Sequence, residues 1–239
     1  MRAAKQMNEI ERRKNRLFRL PSVENWARNN RPRLDDTFFA LSNFDKNPPH
    51  FGLGSVKMLC ASLAKGKLTL IEALQKAEMI KHAAVRSAAL QVIPAFADYL
   101  RLRPIEGLEA FDDFRITYPI GPRPGGGTLS IPIVPTFVGI RDEQLVPVFI
   151  IPWSDLSFDD FQKVLASSVL KDALLSHQQF IGCDGEIVAF PKIEGEQVRY
   201  ECSWSILSYA QMDREDLSRQ FSVFGRALMR VVEEIDEAG

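Results

Sequence analysis

Apolar positions recur at helical spacing near both ends of the chain and alternate or run together through its middle. Residues 3 to 19 carry Met7, Ile10 and Leu17 near one stripe of a basic run, which predicts a helix ended by Pro21. From 21 to 52 no period holds. Trp26, Phe38, Phe39, Phe44 and Phe51 lie scattered among Asn, Arg and Pro, predicting an irregular segment that wraps the body and anchors through its aromatics. Ser55 is placed to cap a short helix that buries Val56, Leu59 and Leu63 and stops at Gly66. Thr69 with Glu72 has the spacing of a capping box, opening a longer helix with Leu70, Leu74, Ala77, Ile80, Ala84 and Ala88 on one face. Pro94 is expected to kink that helix, with helix on both sides to about Leu102.

From Phe114 the period changes. The segments FRITYPI, TLSIPIVPTFVGI and LVPVFIIPW are β-branched and aromatic, separated by GPRPGGG and RDEQ, and predict three strands in a meander. Pro132, Pro135, Pro147 and Pro152 predict that the sheet is bent, because proline cannot donate to a ladder. Residues 131 to 153 are apolar on both faces, as strands covered by helices on either side would be, with Arg141-Asp142-Glu143 as an exposed hairpin tip. Ser157 opens a helix through Phe158, Phe161, Leu165, Val169 and Ala173 to about His177. Further strands follow in FIGC, EIVAFPKI and QVRYECSWSI, with Asp184-Gly185 and EGEQ as hairpin turns. The last helix opens near Asp213. Its stripe of Leu217, Phe221, Phe224, Leu228, Val231 and Ile235 packs on the sheet or, as the alternative, forms the seam of a homodimer through 217–235.

These elements give an α+β fold: a mixed or antiparallel bent sheet, a three-strand meander plus further strands, flanked by helices, with a helical N-terminal part. Residues 1–52 form a basic arm and wrapping segment, and 53–239 the α+β domain. Hydrophobic residues at 46% and charged residues at 26% suit a packed chain.

The net charge of -1 hides an asymmetry, since residues 1 to 34 hold ten Lys or Arg against three Glu. Such a basic end points to a polyanionic partner, and Arg12, Arg13, Lys14, Arg16 and Arg19 are the candidate phosphate contacts. The aromatics behind them, interleaved with Arg, have bases as an alternative stacking partner.

The local motifs of catalysis are missing. GPRPGGG lacks the Gly-Lys-Ser/Thr of a phosphate-cradling loop, and GLGSVK follows no strand and lacks the third glycine of a dinucleotide fingerprint. No GxSxG occurs. His50, His82 and His177 lie in different elements without metal-ligand spacing, and Cys60, Cys183 and Cys202 form no CxxC, so neither cofactor nor metal is implied. Asp112-Asp113, Asp159-Asp160 and Glu233-Glu234 read as solvated or helix-start charge. An enzyme assembled from distant residues, for instance His177, Cys183 and Asp184, is the remaining catalytic reading. Unpaired cysteines fit a reducing cytoplasm, and no apolar run reaches the ~18 to 20 residues of a membrane span.

The order helix, three-strand meander, helix, strand over residues 69 to 190 resembles the core of the PD-(D/E)XK nuclease superfamily. That family places Pro-Asp on the second strand and Asp/Glu-x-Lys on the third, around a divalent metal. Here Pro135-Thr136 and Ile150-Ile151-Pro152 stand at those places. A hard cation needs oxygen ligands, normally including a carboxylate, so the resemblance implies a degenerate frame without the metal chemistry. The expectation is a non-catalytic cytoplasmic protein that contacts nucleic acid through its basic arm. The alternative is a protein-interaction or regulatory module acting through the arm or the C-terminal helix.

Overall fold

The computed structural model describes residues 2–19, 22–46, 53–123, 125–155, 158–193, 195–196 and 198–237, with the side chains of 2–8 outside that description. Met7, His50, Phe51 and Ser157, named above, therefore lie outside the described side chains or residues.

The architecture is α+β. Strands β1 (Glu106–Leu108), β4 (Phe137–Arg141), β5 (Gln144–Ile151), β6 (Glu186–Ala189) and β7 (Cys202–Ser205) form one sheet in that spatial order. All neighbours are antiparallel except β5 and β6, which run parallel and are joined through helix α7 (Asp160–Leu170). Strands β2 (Ile116–Pro122) and β3 (Thr128–Ile133) form a separate antiparallel hairpin, bulged between Pro119 and Gly121. The segment expected as one strand from 128 to 140 is thus broken at Val134-Pro135-Thr136 into β3 and β4, which belong to different sheets. Proline at 135 removes a ladder donor where the chain changes direction.

Successive residues of the central strands serve two cores. Val148, Ile150, Val188 and Phe190 face helices α4 (Gly54–Ala64), α5 (Leu70–Glu78) and α6 (Ala83–Leu102). Phe149, Ile151, Ile187 and Ala189 lie in the other core, which α7, the β2–β3 hairpin and α8 (Arg214–Glu237) complete. Period-two alternation with both faces covered is what an apolar run without polar interruption produces. Where β1 meets β4, Gly107 pairs with Gly139. A Cβ at Gly139 would stand 2.8 Å from the Glu106 carbonyl oxygen, and one at Gly107 3.1 Å from the Ala64–Lys65 backbone, so glycine at both positions serves close backbone approach.

The N-terminal part is helical and docked. Helix α1 (Arg2–Phe18) stands where a helix is expected, while α2 (Val23–Arg28) and α3 (Leu34–Lys46) replace the described part of the irregular wrapping segment expected over 21–52. Ser22 caps α2 through Asn25, and Asp35 and Asp36 supply first-turn acids to α3. A buried amide chain fixes the α2–α3 bend. Gln162 donates to the carbonyls of Arg28 and Asn30, and Gln220 to Asn30 Oδ1 and the Arg31 carbonyl, at 2.8 to 3.1 Å. The α8 stripe is consumed here: Leu217, Phe224, Leu228, Val231 and Ile235 are buried in the same core as Leu17, Trp26 and Leu41. It packs on α1, α3 and the hairpin rather than on the main sheet, so pairing two copies through 217–235 would require α8 to leave the core.

Several local expectations are corrected. Leu53, not Ser55, precedes α4, and no side chain caps it. The capping box of Thr69 and Glu72 is present, but its helix ends at Glu78 and α6 begins separately at Ala83, leaving Leu70 exposed. Helix on both sides of Pro94 is present as expected, since α6 runs through it to Leu102. Asp159 caps α7 with Gln162 in a capping box, and a π-helical turn, Lys171–Leu175, follows. FIGC is no strand: Gln178–Phe180 is a 3-10 turn. Asp184-Gly185 is not a hairpin turn, because β6 runs parallel to β5.

Candidate nucleic-acid interface

Thr136 and Ile150, the positions at which the nuclease-like pattern would set its carboxylates, do meet. Thr136 Oγ1 accepts the Ile150 N–H at 3.0 Å, and the Thr136 N–H reaches the Val148 carbonyl at 2.7 Å. Ile150 is fully buried in the α4–α6 core. The chemistry of the pair is one hydroxyl, already used as an acceptor, beside an aliphatic chain. Such a donor set fits no hard divalent cation. Among the described residues no group of three His, Cys, Asp or Glu converges.

Four of the five candidate phosphate contacts lie on α1 and Arg19 directly follows it, on unequal terms. Arg13 and Arg16 converge on Asp45 of α3, whose carboxylate is only 2% exposed. Arg13 Nε donates to its two oxygens at 3.0 and 3.3 Å, and Nη2 also reaches it. Arg16 Nη2 donates to Asp45 Oδ1 and to the Asp45 main-chain oxygen, both at 2.9 Å. The hydrogen bond with Asp45 raises Arg13 above its ordinary pKa. Arg16 Nε is buried without a hydrogen-bond partner. Lys14 pairs with Asp236 of α8, and Arg12 pairs with Glu9 one turn back while staying exposed. Arg19 is exposed and makes no ion pair among the described residues. Arg123, from the glycine-rich hairpin turn, lies over the Phe18 ring at 4.5 Å.

The aromatics behind the arm are mostly anchors. Trp26 is fully buried against Phe221 and Phe224, Phe38 is buried, and Phe44 is half-buried; of the described four, Phe39 alone faces solvent.

A second polar centre has no local signature in the sequence. Glu186, at the start of β6 and buried, accepts from the Tyr99 hydroxyl at 2.9 Å, Arg141 at 2.9 Å and Arg103 at 3.1 Å. Arg103 also reaches Glu201 at 2.8 Å, and Arg141 donates to the Tyr99 oxygen at 3.1 Å. Burial, reinforced by Glu186, pushes the Tyr99 hydroxyl up. Arg141 is held above its ordinary value because Glu186 and Tyr99 outweigh burial, which opposes its charge. The hairpin tip expected to be wholly exposed thus turns Arg141 inward. The chain turns back through Asp142 and Glu143, both at positive φ (51° and 64°), the backbone of a two-residue type I′ turn. Beside this centre, Leu100, Pro104, Ile105, Glu106, Ile140, Arg141 and Asp142 line an open cleft of about 460 Å³.

The dispersed catalytic candidates form no hydrogen-bonded set. The His177 ring stacks edge-on against Phe114 and accepts from the Gln179 N–H at 3.5 Å. Asp184 bonds Gly185, Ser205 and Leu207, and no hydrogen bond links His177, Cys183 and Asp184. His82 stands at the N-cap of α6. No helix among the described residues is long and apolar enough to cross a membrane.

No protein-family model, curated protein or solved structure matches this chain.

Proposed function

We propose that this chain is a non-catalytic cytoplasmic protein, built on a degenerate nuclease-like frame, that contacts nucleic acid through α1. The observation that carries the reading is the convergence of Arg13 and Arg16 on one oxyanion, with Arg12 exposed on the same helix and Arg19 exposed directly after it. Paired guanidiniums around an oxyanion are the usual means of holding phosphate. The frame is supported by the element order. Helix α6 is followed by the antiparallel strands β1, β4 and β5, with the β2–β3 hairpin inserted, then α7 and the parallel β6. The donor set of Thr136 and Ile150 supports a role without metal catalysis, and the free cysteines support a reducing compartment.

Reversing the two exposed charges, Arg12→Glu with Arg19→Glu, tests this in the full chain. Binding of a labelled oligothymidine should weaken at least tenfold at low salt. Five phosphate contacts give a log–log salt slope of roughly −3.5 for a single strand, and the variant's slope should be shallower. Unchanged affinity and slope would remove the reading. The second reading, a protein-interaction or regulatory module without nucleic acid, is favoured by the internal pairing of Arg13, Lys14 and Arg16. It expects no oligonucleotide binding by either protein.

A further inference from the structure

We infer that α1 is an autoinhibitory strap in which Asp45 and Asp236 occupy, within the chain, the basic face that nucleic acid takes when the strap is released. The inference rests on the nucleic-acid reading above and adds its regulation.

The first ground is an imbalance of charge. Two guanidiniums share one carboxylate, and that carboxylate must accept from Arg13 Nε, Arg13 Nη2 and Arg16 Nη2. Arg16 Nε is left buried and without an acceptor. On a sugar–phosphate backbone each arginine meets a phosphate of its own, so the docked state leaves donor capacity unused that a polyanion would fill.

The second ground is the placement of the charges around α1. Arg12 and Arg16 recur at i and i+4, and Arg19, directly after the helix, follows at i+7 with its N–H still bonded to the Asn15 carbonyl at 3.0 Å, so the three lie along one face. Arg13, Lys14 and Leu17 point to α3 and α8: Arg13 to Asp45, Lys14 to Asp236, and Leu17 into the core at 1% exposure. Arg16 lies at the edge between the two faces. Docked, the segment shows solvent two of the five candidate cations, Arg12 and the following Arg19, alongside the exposed Glu9 and Glu11. Released, it offers all five.

The third ground is that the latch is electrostatic. Ile10, Leu17 and Phe18 are the apolar side chains by which the described part of α1 touches the core, while three of its cations are held by carboxylates of other helices. A contact of that kind yields to a competing polyanion more readily than an apolar one does.

The test uses full-length protein and fluorescence anisotropy with labelled oligothymidine. Asp45→Asn removes the internal anion while keeping its shape, and should tighten binding about tenfold, within the usual range of coupling between sites. Asp236→Asn, at a half-exposed position, should tighten it a few-fold. Both should speed tryptic cleavage within α1. A folded Asp45→Asn protein that binds no tighter than wild type overturns the strap. Should that variant fail to fold, Asp236→Asn decides in the same way, tighter binding supporting the strap and unchanged binding ending it. If the Arg12/Arg19 reversal weakens binding while the two Asp variants leave it unchanged, the strap alone is lost. If none of the variants alters binding, the nucleic-acid reading falls with it.

Discussion

Glu186→Gln keeps the shape of the side chain and removes the charge on which Arg103, Arg141 and the Tyr99 hydroxyl converge. Breaking a buried ion pair from one side costs about 3 to 5 kcal/mol, because the remaining charge stays desolvated. Arg103 is 44% exposed and able to turn toward water, whereas Arg141 is 27% exposed and Tyr99 is buried. The loss should therefore fall at the low end, about 3 kcal/mol. In a chain of this length that lowers Tm by roughly 6 to 12 °C. Urea unfolding followed by circular dichroism should show the same loss in midpoint with an unchanged slope, since the surface exposed on unfolding is the same. Pairing the change with Arg141→Met should cost less than the sum of the single variants by at least ~1 kcal/mol, the sign of direct coupling. Raising the salt should alter these values little, as buried pairs are poorly screened. A loss below about 1 kcal/mol, or one that salt abolishes, would show that the centre behaves as a surface ion cluster and that the argument from burial is wrong.

Two further outcomes follow from single groups. Burial pushes the Cys60 thiol far up, so a disulfide reagent should titrate the half-buried Cys183 and Cys202 in the native protein and Cys60 only in denaturant; three equally reactive native thiols would contradict the packing of α4. The hydrogen bond from Lys65 holds the Asp112 carboxyl below its ordinary value. Its contribution is therefore present above the ~3.9 of a free Asp and lost as pH falls through the lower folded value. Melts of Asp112→Asn should lie below wild type by no more than ~0.5 kcal/mol near neutrality and coincide with it at strongly acid pH, and a gap that widens with acid would reverse the assignment.

What was legible in the sequence was legible through local chemistry. Thr69 and Glu72 announce a helix start because each satisfies the other's backbone donor within four residues, and Asp213 does the same for α8 through the Asp216 N–H. The uninterrupted apolar run of β5 correctly signals a strand covered on both faces. The break at Val134-Pro135-Thr136 was not legible, because β3 and β4 are equally apolar and only the partner strand tells which sheet each joins. Helix α3 does carry a local signal, in Asp35 and Asp36 just before an apolar turn.

The candidate interface was half readable. Charge composition pointed to Arg12, Arg13, Lys14, Arg16 and Arg19, but their partners Asp45 and Asp236 lie 29 or more positions away, and pairing at that distance leaves no pattern in a single sequence. The same holds for the Glu186 centre, whose members Tyr99, Arg103, Arg141 and Glu186 come from four separate segments.

The amide chain from Gln220 to Asn30 joins residues 190 positions apart. At translation speeds of about 5 to 20 residues per second, the opening helices leave the ribosome roughly 10 to 40 s before the segment that receives them exists. Until then the nascent chain lacks Phe221 and Phe224, the rings against which Trp26 packs. Newborn protein passes through an interval in which Asp45 is already made but Asp236 and the α8 surface are not, so any chaperone or polyanion near the exit tunnel meets the cationic helix before its docking is complete.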